Sequence, residues 1–160
     1  DTAAVKALAR LGLTFRVKDT FGKVEYNGRG DIETYNDRKA AGFIGRYNTT
    51  AEAMFHYYVK PQATGNRTDV RWMSISDTRN RLMVAAKSPF QFSVTPFSDS
   101  VIDRATHINQ LSRDGLLTVH LDANQSGVGT ATCGPGVAEK YRVSVKPTTF
   151  EFVLYPAMAK

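Results

Sequence analysis

The sequence predicts an all-β fold, an antiparallel two-sheet sandwich, and three observations point there. Apolar residues alternate with polar ones over many short stretches, which is the period of a half-buried strand. Gly, Pro, Asn and Asp fall singly between those stretches as turn residues, with no long linker. Helix-start signals occur at two places only. With 160 residues, of which 42% are hydrophobic and 22% charged, the chain is sized for one domain over 1–160 with a true core.

Taken in order, the first strand is expected over 11–17, where Leu11, Leu13, Phe15 and Val17 share a face opposite Gly12, Thr14 and Arg16. Strands follow at 23–27, 42–47, 69–76, 81–87, 90–94, 117–122, 141–145 and 150–154, joined most simply as antiparallel hairpins. In each, one face is read as core and the other as solvent, so His120 is expected to point outward from 117–122. Two short connector helices are expected: one turn or two from Thr50 to Phe55, and one opened by the capping residues Ser98-Asp-Ser at 98–105. The longest irregular stretch, 124–136, joins two good strands, and a connection of that length is the first place to look for function.

Composition narrows the function. No apolar run approaches the length of a bilayer span, so no membrane is expected among the partners. The formal charge of +6 is spread over both halves, without a basic run or a nucleic-acid-binding motif, so no nucleic acid is expected either. The single Cys133 excludes an internal disulfide and a paired-cysteine zinc site, and with no neighbouring base it reads as an unactivated thiol. The compartment, cytoplasmic or periplasmic, is left open. The start at Asp1-Thr-Ala-Ala-Val, with neither Met nor leader pattern, reads as a cut in a longer polypeptide.

Few constellations carry chemistry of their own. Gly28-Arg-Gly30 completes no phosphate-cradling motif and reads as a turn. Asp31, Glu33 and Asp37 lie close in sequence, but nothing fixes the pair of carboxyls that a retaining glycosidase holds about 5–5.5 Å apart, so they read as solvated turn acids. Arg67, Asp69 and Arg71 fall on one strand face, as an ion-pair row above a buried Trp72. His56, His107 and His120 are too scattered in sequence to suggest a metal site or a catalytic triad.

Four ordered motifs nevertheless resemble one family. Gly28-Arg-Gly-Asp-Ile-Glu-Thr-Tyr-Asn-Asp-Arg-Lys39 resembles the GRGPxENYxDRK signature of the C-terminal domain of glycoside hydrolase family 2 β-galactosidases. Tyr58-Val-Lys-Pro-Gln-Ala-Thr-Gly-Asn-Arg-Thr-Asp-Val-Arg-Trp72 is similar to that domain's YxxPQExGNRTDVRW. Residues 98–107 resemble its acidic helix ending in DRAxH, and 126–135 with Glu139-Lys-Tyr-Arg142 resemble its SGxGxxSCGP and EKYR. The sequence departs from the pattern at Asp31-Ile32, where Pro and a polar residue are usual, at Thr34 in place of Asn, and at Ala63-Thr64 within QExG.

The resemblance implies the latter half of a galactose-mutarotase-like supersandwich, the last of five modules, whose first half lies upstream of Asp1. It implies that the carboxylates which hydrolyse terminal β-galactosides with retention sit on a barrel module with no counterpart here. The chain then has no cofactor of its own, metal ions being held elsewhere in the enzyme, and is expected to be inactive when isolated. Its partners are the rest of the β-galactosidase polypeptide, or a large catalytic subunit, and the galactoside substrate. The loop that helps shape the sugar site corresponds to Gly127, Val128, Gly129, Thr130, Ala131, Thr132 and Cys133, running on to Pro135, with Cys133 near the position of a stacking Trp and one residue fewer. An alternative is a free-standing galactose-binding or mutarotase-like carbohydrate module. Half a sandwich also exposes sheet edges and an apolar patch, which predicts self-association of the isolated chain.

Overall fold

The structure, a computed structural model, describes residues 6–129 and 134–159. Seven antiparallel strands are formed: β1 (Arg10–Lys18), β2 (Lys23–Arg29), β3 (Ile44–Thr50), β4 (Arg67–Ser76), β5 (Asn80–Thr95), β6 (Leu116–Gln125) and β7 (Phe152–Met158). They hydrogen-bond in the order β1-β6-β5-β4-β2-β3, with β7 beside β5. The all-β antiparallel class is as expected for a sandwich, and the described strands all hydrogen-bond into one sheet.

Both connector helices are present. In α1 (Ala51–Met54) the Thr50 hydroxyl accepts from the Ala53 amide, and in α2 (Asp99–Arg104) the Ser98 hydroxyl accepts from Val101. Each cap satisfies an amide that the first helical turn leaves without a partner.

Three of the nine expected strands differ, two by merging and one by not forming, for local reasons. The segments 81–87 and 90–94 are one long strand, β5, which pairs with β7 over Asn80–Ala86 and with β6 over Gln91–Thr95. Between them Lys87, Ser88 and Pro89 have no register partner among the described strands, β4 included, so the missing amide of Pro89 breaks no ladder there. The segment 141–145 is not a strand: a 3₁₀ turn occupies Glu139–Tyr141, and a single bridge joins Leu8 to Val143. There the Val143 amide donates to the Ser126 hydroxyl rather than to a partner strand.

One side of the sheet is a continuous apolar core. Val24 and Tyr26 of β2, Met73 and Ile75 of β4, Val84, Phe92 and Val94 of β5, and Leu117, Val119 and Leu121 of β6 are all buried. On the other side the alternate residues of β5 and β6 (Gln91, Ser93, Thr95, Thr118, His120 and Asp122) are polar, yet buried as well. The segments 31–42, 55–66 and 97–111 cover them: Asn66 donates to Gln91 Oε1 at 2.8 Å, and Thr118 donates to the Phe97 carbonyl at 2.9 Å.

His120 is therefore not solvent-facing as expected. It is 3% exposed, whereas His56 and His107 are the exposed histidines. Its Nε2 stands 3.0 Å from Asp99 Oδ1 and its Nδ1 2.9 Å from Thr14 Oγ1. A neutral ring carrying its proton on Nε2 satisfies both partners.

The Arg-Asp-Arg row is not formed either. Arg67 is 3% exposed and donates to the Tyr26 hydroxyl and to the carbonyls of Gly65 and Asp31. Arg71 is exposed and Trp72 half-buried. Asp69 sits in a bulge of β4 with φ +54° and pairs instead with Arg29 at 2.6 Å and Lys39 at 3.0 Å. The left-handed backbone at Asp69, which a short polar side chain tolerates, breaks the alternation that the row required.

Candidate functional site

The site is built around a tight turn at 35–38. Tyr35 and Arg38 exchange backbone hydrogen bonds of 3.1 and 2.9 Å, which leaves Asn36 and Asp37 at the tip. Tyr35 is buried, and burial with the neighbouring Glu33 carboxylate pushes its phenol well above the ordinary range.

Glu33 anchors the turn from behind. It accepts from the Tyr58 hydroxyl at 2.7 Å, the Gly65 amide at 3.0 Å, the Tyr35 hydroxyl at 3.1 Å and Arg38 at 2.5 Å. Burial alone raises its pKa, but the Gly65 amide, the Tyr58 hydroxyl and Arg38 outweigh it and hold the carboxyl below the ordinary range. Nearby, Thr34 receives the amide and hydroxyl of Thr68 at 3.0 Å each, and its carbonyl receives Asn66. The stretch 28–39 is thus stitched to the stretch 58–72.

The tip of the turn holds the beginning of the 127–135 loop. Asn36 donates to Asn124 Oδ1 at 2.8 Å and to the Gln125 carbonyl at 2.6 Å. The Asp37 carboxylate accepts the Val128 amide at 3.0 Å on Oδ1 and the Gly129 amide at 2.7 Å on Oδ2. Gly127 is buried against that carboxylate, and a Cβ there would lie 2.3–2.5 Å from its atoms. Gly129 has φ +60°, and a Cβ on it would meet the Val137 amide at 2.7 Å. Ser126 completes the neck, donating to the Leu8 carbonyl at 2.7 Å while its own amide donates to that of Ala9 at 2.9 Å.

Of the three turn acids only Asp31 is solvated as expected; Glu33 and Asp37 are both committed to internal donors. Of the expected site residues, Gly127, Val128 and Gly129 lie at this neck, with Val128 45% exposed. Thr130, Ala131, Thr132 and Cys133 lie outside the described residues. A small cleft of about 280 Å³ separates the neck from the turn, lined by Asp37, Arg38, Val128, Gly129, Pro135 and Tyr141 among others.

Sequence reasoning missed a second, larger cleft of about 790 Å³ between Arg10, residues 60–63 and α2. Arg10 reaches from it to the buried Asp122, 3.0 Å away. Burial raises the Asp122 carboxyl despite the opposing pull of Arg10. The hydrogen bond from His120, more than the surrounding positive charge, holds the Asp99 carboxyl below its ordinary range. Nothing in the local sequence marks this cleft, because Arg10 meets Asp122 only through the pairing of β1 with β6, and Asp99 comes from α2. Among the described residues no cluster of His, Cys, Asp and Glu is arranged to hold a metal ion.

Comparison with known proteins places these features in a family. The family described as "Beta galactosidase small chain" matches residues 1–154. The β-galactosidase of Kluyveromyces lactis is 33% identical over 147 residues, covering 91% of this chain and 14% of that protein. That of Actinobacillus pleuropneumoniae is 31% identical over 136 residues (85% and 13%), and that of Staphylococcus xylosus 29% over 147 residues (92% and 15%). The chain thus spans only 13–15% of the length of these relatives. On the family match over nearly its whole length, the chain belongs to the β-galactosidase small-chain family.

Proposed function

We propose that this chain is the non-catalytic C-terminal portion of a β-galactosidase, packing on a barrel module that supplies both carboxylates for retaining hydrolysis of terminal β-galactosides. Within that enzyme the 127–135 loop walls one side of the sugar site, by backbone and small side chains in place of an indole. The observation that carries the reading is the match to the small-chain family over residues 1–154, beside relatives of which the chain spans so small a share. The state of Glu33 and Asp37, both occupied by internal donors, accords with it, since neither is free to act on a substrate.

The test is to assay the purified 160-residue chain on a chromogenic galactoside, alone and mixed with a β-galactosidase truncated before this portion. The expected result is no turnover by the chain alone and recovered turnover in the mixture. Turnover by the chain alone, free of contaminating enzyme, overturns the reading.

The larger cleft favours a second reading, a carbohydrate-binding module, because its volume and its mix of Arg10, Lys60, Gln62 and Asp99 suit a hydroxyl-rich ligand. Calorimetric titration of the chain with galactose and lactose separates the two: saturable heat supports the module, and its absence supports the first reading.

A further inference from the structure

We propose that Asp37 is a positioning residue for the sugar site, fixing where the 127–135 loop leaves the sheet. The proposal rests on the reading of that loop as a wall of the site and deepens it by naming what holds the wall in place.

Three observations converge on the assignment. Two consecutive amides, Val128 and Gly129, are taken by the two oxygens of one carboxylate at 3.0 and 2.7 Å. Such charge-assisted bonds are about twice as strong as neutral ones, and a pair fixes direction as well as distance. The carboxylate also fills the space a side chain at 127 would need, so Gly127 and Asp37 fit only each other. Finally, Asp37 is itself held from both sides. The reciprocal Tyr35 and Arg38 bonds close its turn, and Asn36 anchors that turn to Asn124 and Gln125 at the end of β6. A displacement of Asp37 therefore moves the Val128 and Gly129 backbone relative to the sheet.

The geometry also sets the kinetic signature. A wall that touches the substrate away from the reacting carbon binds ground state and transition state alike, so its loss raises KM and leaves kcat in place. Asparagine at 37 keeps one acceptor oxygen and turns an amino group toward the second amide, so it retains part of the grip.

The experiment uses the full-length parent β-galactosidase and compares Asp37→Ala, Asp37→Asn and Gly127→Ala with replacement of Thr130, Ala131, Thr132 and Cys133 by a Gly-Ser linker. KM and kcat are measured for lactose and a nitrophenyl galactoside, with Tm and the exchange rates of the Val128 and Gly129 amides. The expected result is that Asp37→Ala and the linker both raise KM by about tenfold with kcat within about twofold. Asp37→Asn falls between them and the wild type. Gly127→Ala, which pushes the neck off the carboxylate without removing it, reproduces Asp37→Ala, and serves as the second variant if Asp37→Ala fails to fold. Amide exchange at 128 and 129 accelerates in each Asp37 and Gly127 variant at nearly unchanged Tm. If the linker raises KM while the Asp37 and Gly127 variants do not, the assignment of Asp37 is overturned and the wall reading survives. If the linker leaves KM unchanged, the wall reading is overturned and the positioning role falls with it.

Discussion

The two faces of β5 and β6 are built on the same residue period yet reach burial by opposite means. On one, Phe92, Val94, Val119 and Leu121 interlock as an apolar layer. On the other, Gln91, Ser93, Thr95, Thr118, His120 and Asp122 lie equally out of water, and Gln91, Thr118 and His120 are satisfied by partners supplied from segments far away in sequence. The apolar face requires only volume and tolerates sliding contacts. The polar face requires each donor to meet a specific acceptor, and so fixes the covering segments, the turn at 35–38 among them, in one arrangement.

Substitutions on the two sides test that difference. Leu121→Ala, in the apolar layer, is expected to have the largest effect, a loss of about 2–5 kcal/mol in urea unfolding with an unchanged m-value. Glu33→Gln, in the network that holds the covering segments, is expected to cost about 1–3 kcal/mol, because the donors around it lose a charged acceptor. Since the folded pKa of Glu33 lies below its unfolded value, its contribution is complete above the unfolded pKa and disappears as the pH falls through the folded one. The variant should lack that acid-side loss.

Gly115→Ala belongs to neither face and calibrates both: its φ is +80° with nothing within 4 Å, so backbone strain alone should cost about 1–2 kcal/mol. The smallest effect is expected at Asp122, where Asn should lie within about 1 kcal/mol of the wild type at a pH that protonates the carboxyl. The sign there is opposite to that of Glu33. The folded pKa of Asp122 is raised, so its contribution is complete below the unfolded pKa and is lost as the pH rises through the folded one. Unfolding curves of the Asn variant across that range should therefore be flatter than the wild type's.

What could be read in the sequence divides along the same line. Periodicity placed Phe92, Val94, Val119 and Leu121 on one face of their strands, and capping residues placed both helices, because these are local properties of neighbouring residues. The same periodicity put His120 in solvent, since alternation distinguishes two faces but does not say what covers the polar one. Nor could it find Asp37 at Gly129, a contact between a turn and a loop across 92 residues. The segment 141–145 alternates as well as any strand, but the Ser126 hydroxyl takes the Val143 amide that a partner strand would have used.

One earlier feature bears on how such a sheet tolerates change. Where β5 gives up β7 and takes up β6, Lys87, Ser88 and Pro89 have no register partner among the described strands. Residues added or removed at that point shift no register on either side. The longest strand therefore carries its own expansion joint, and homologues of unequal length can differ there while every paired residue keeps its partner.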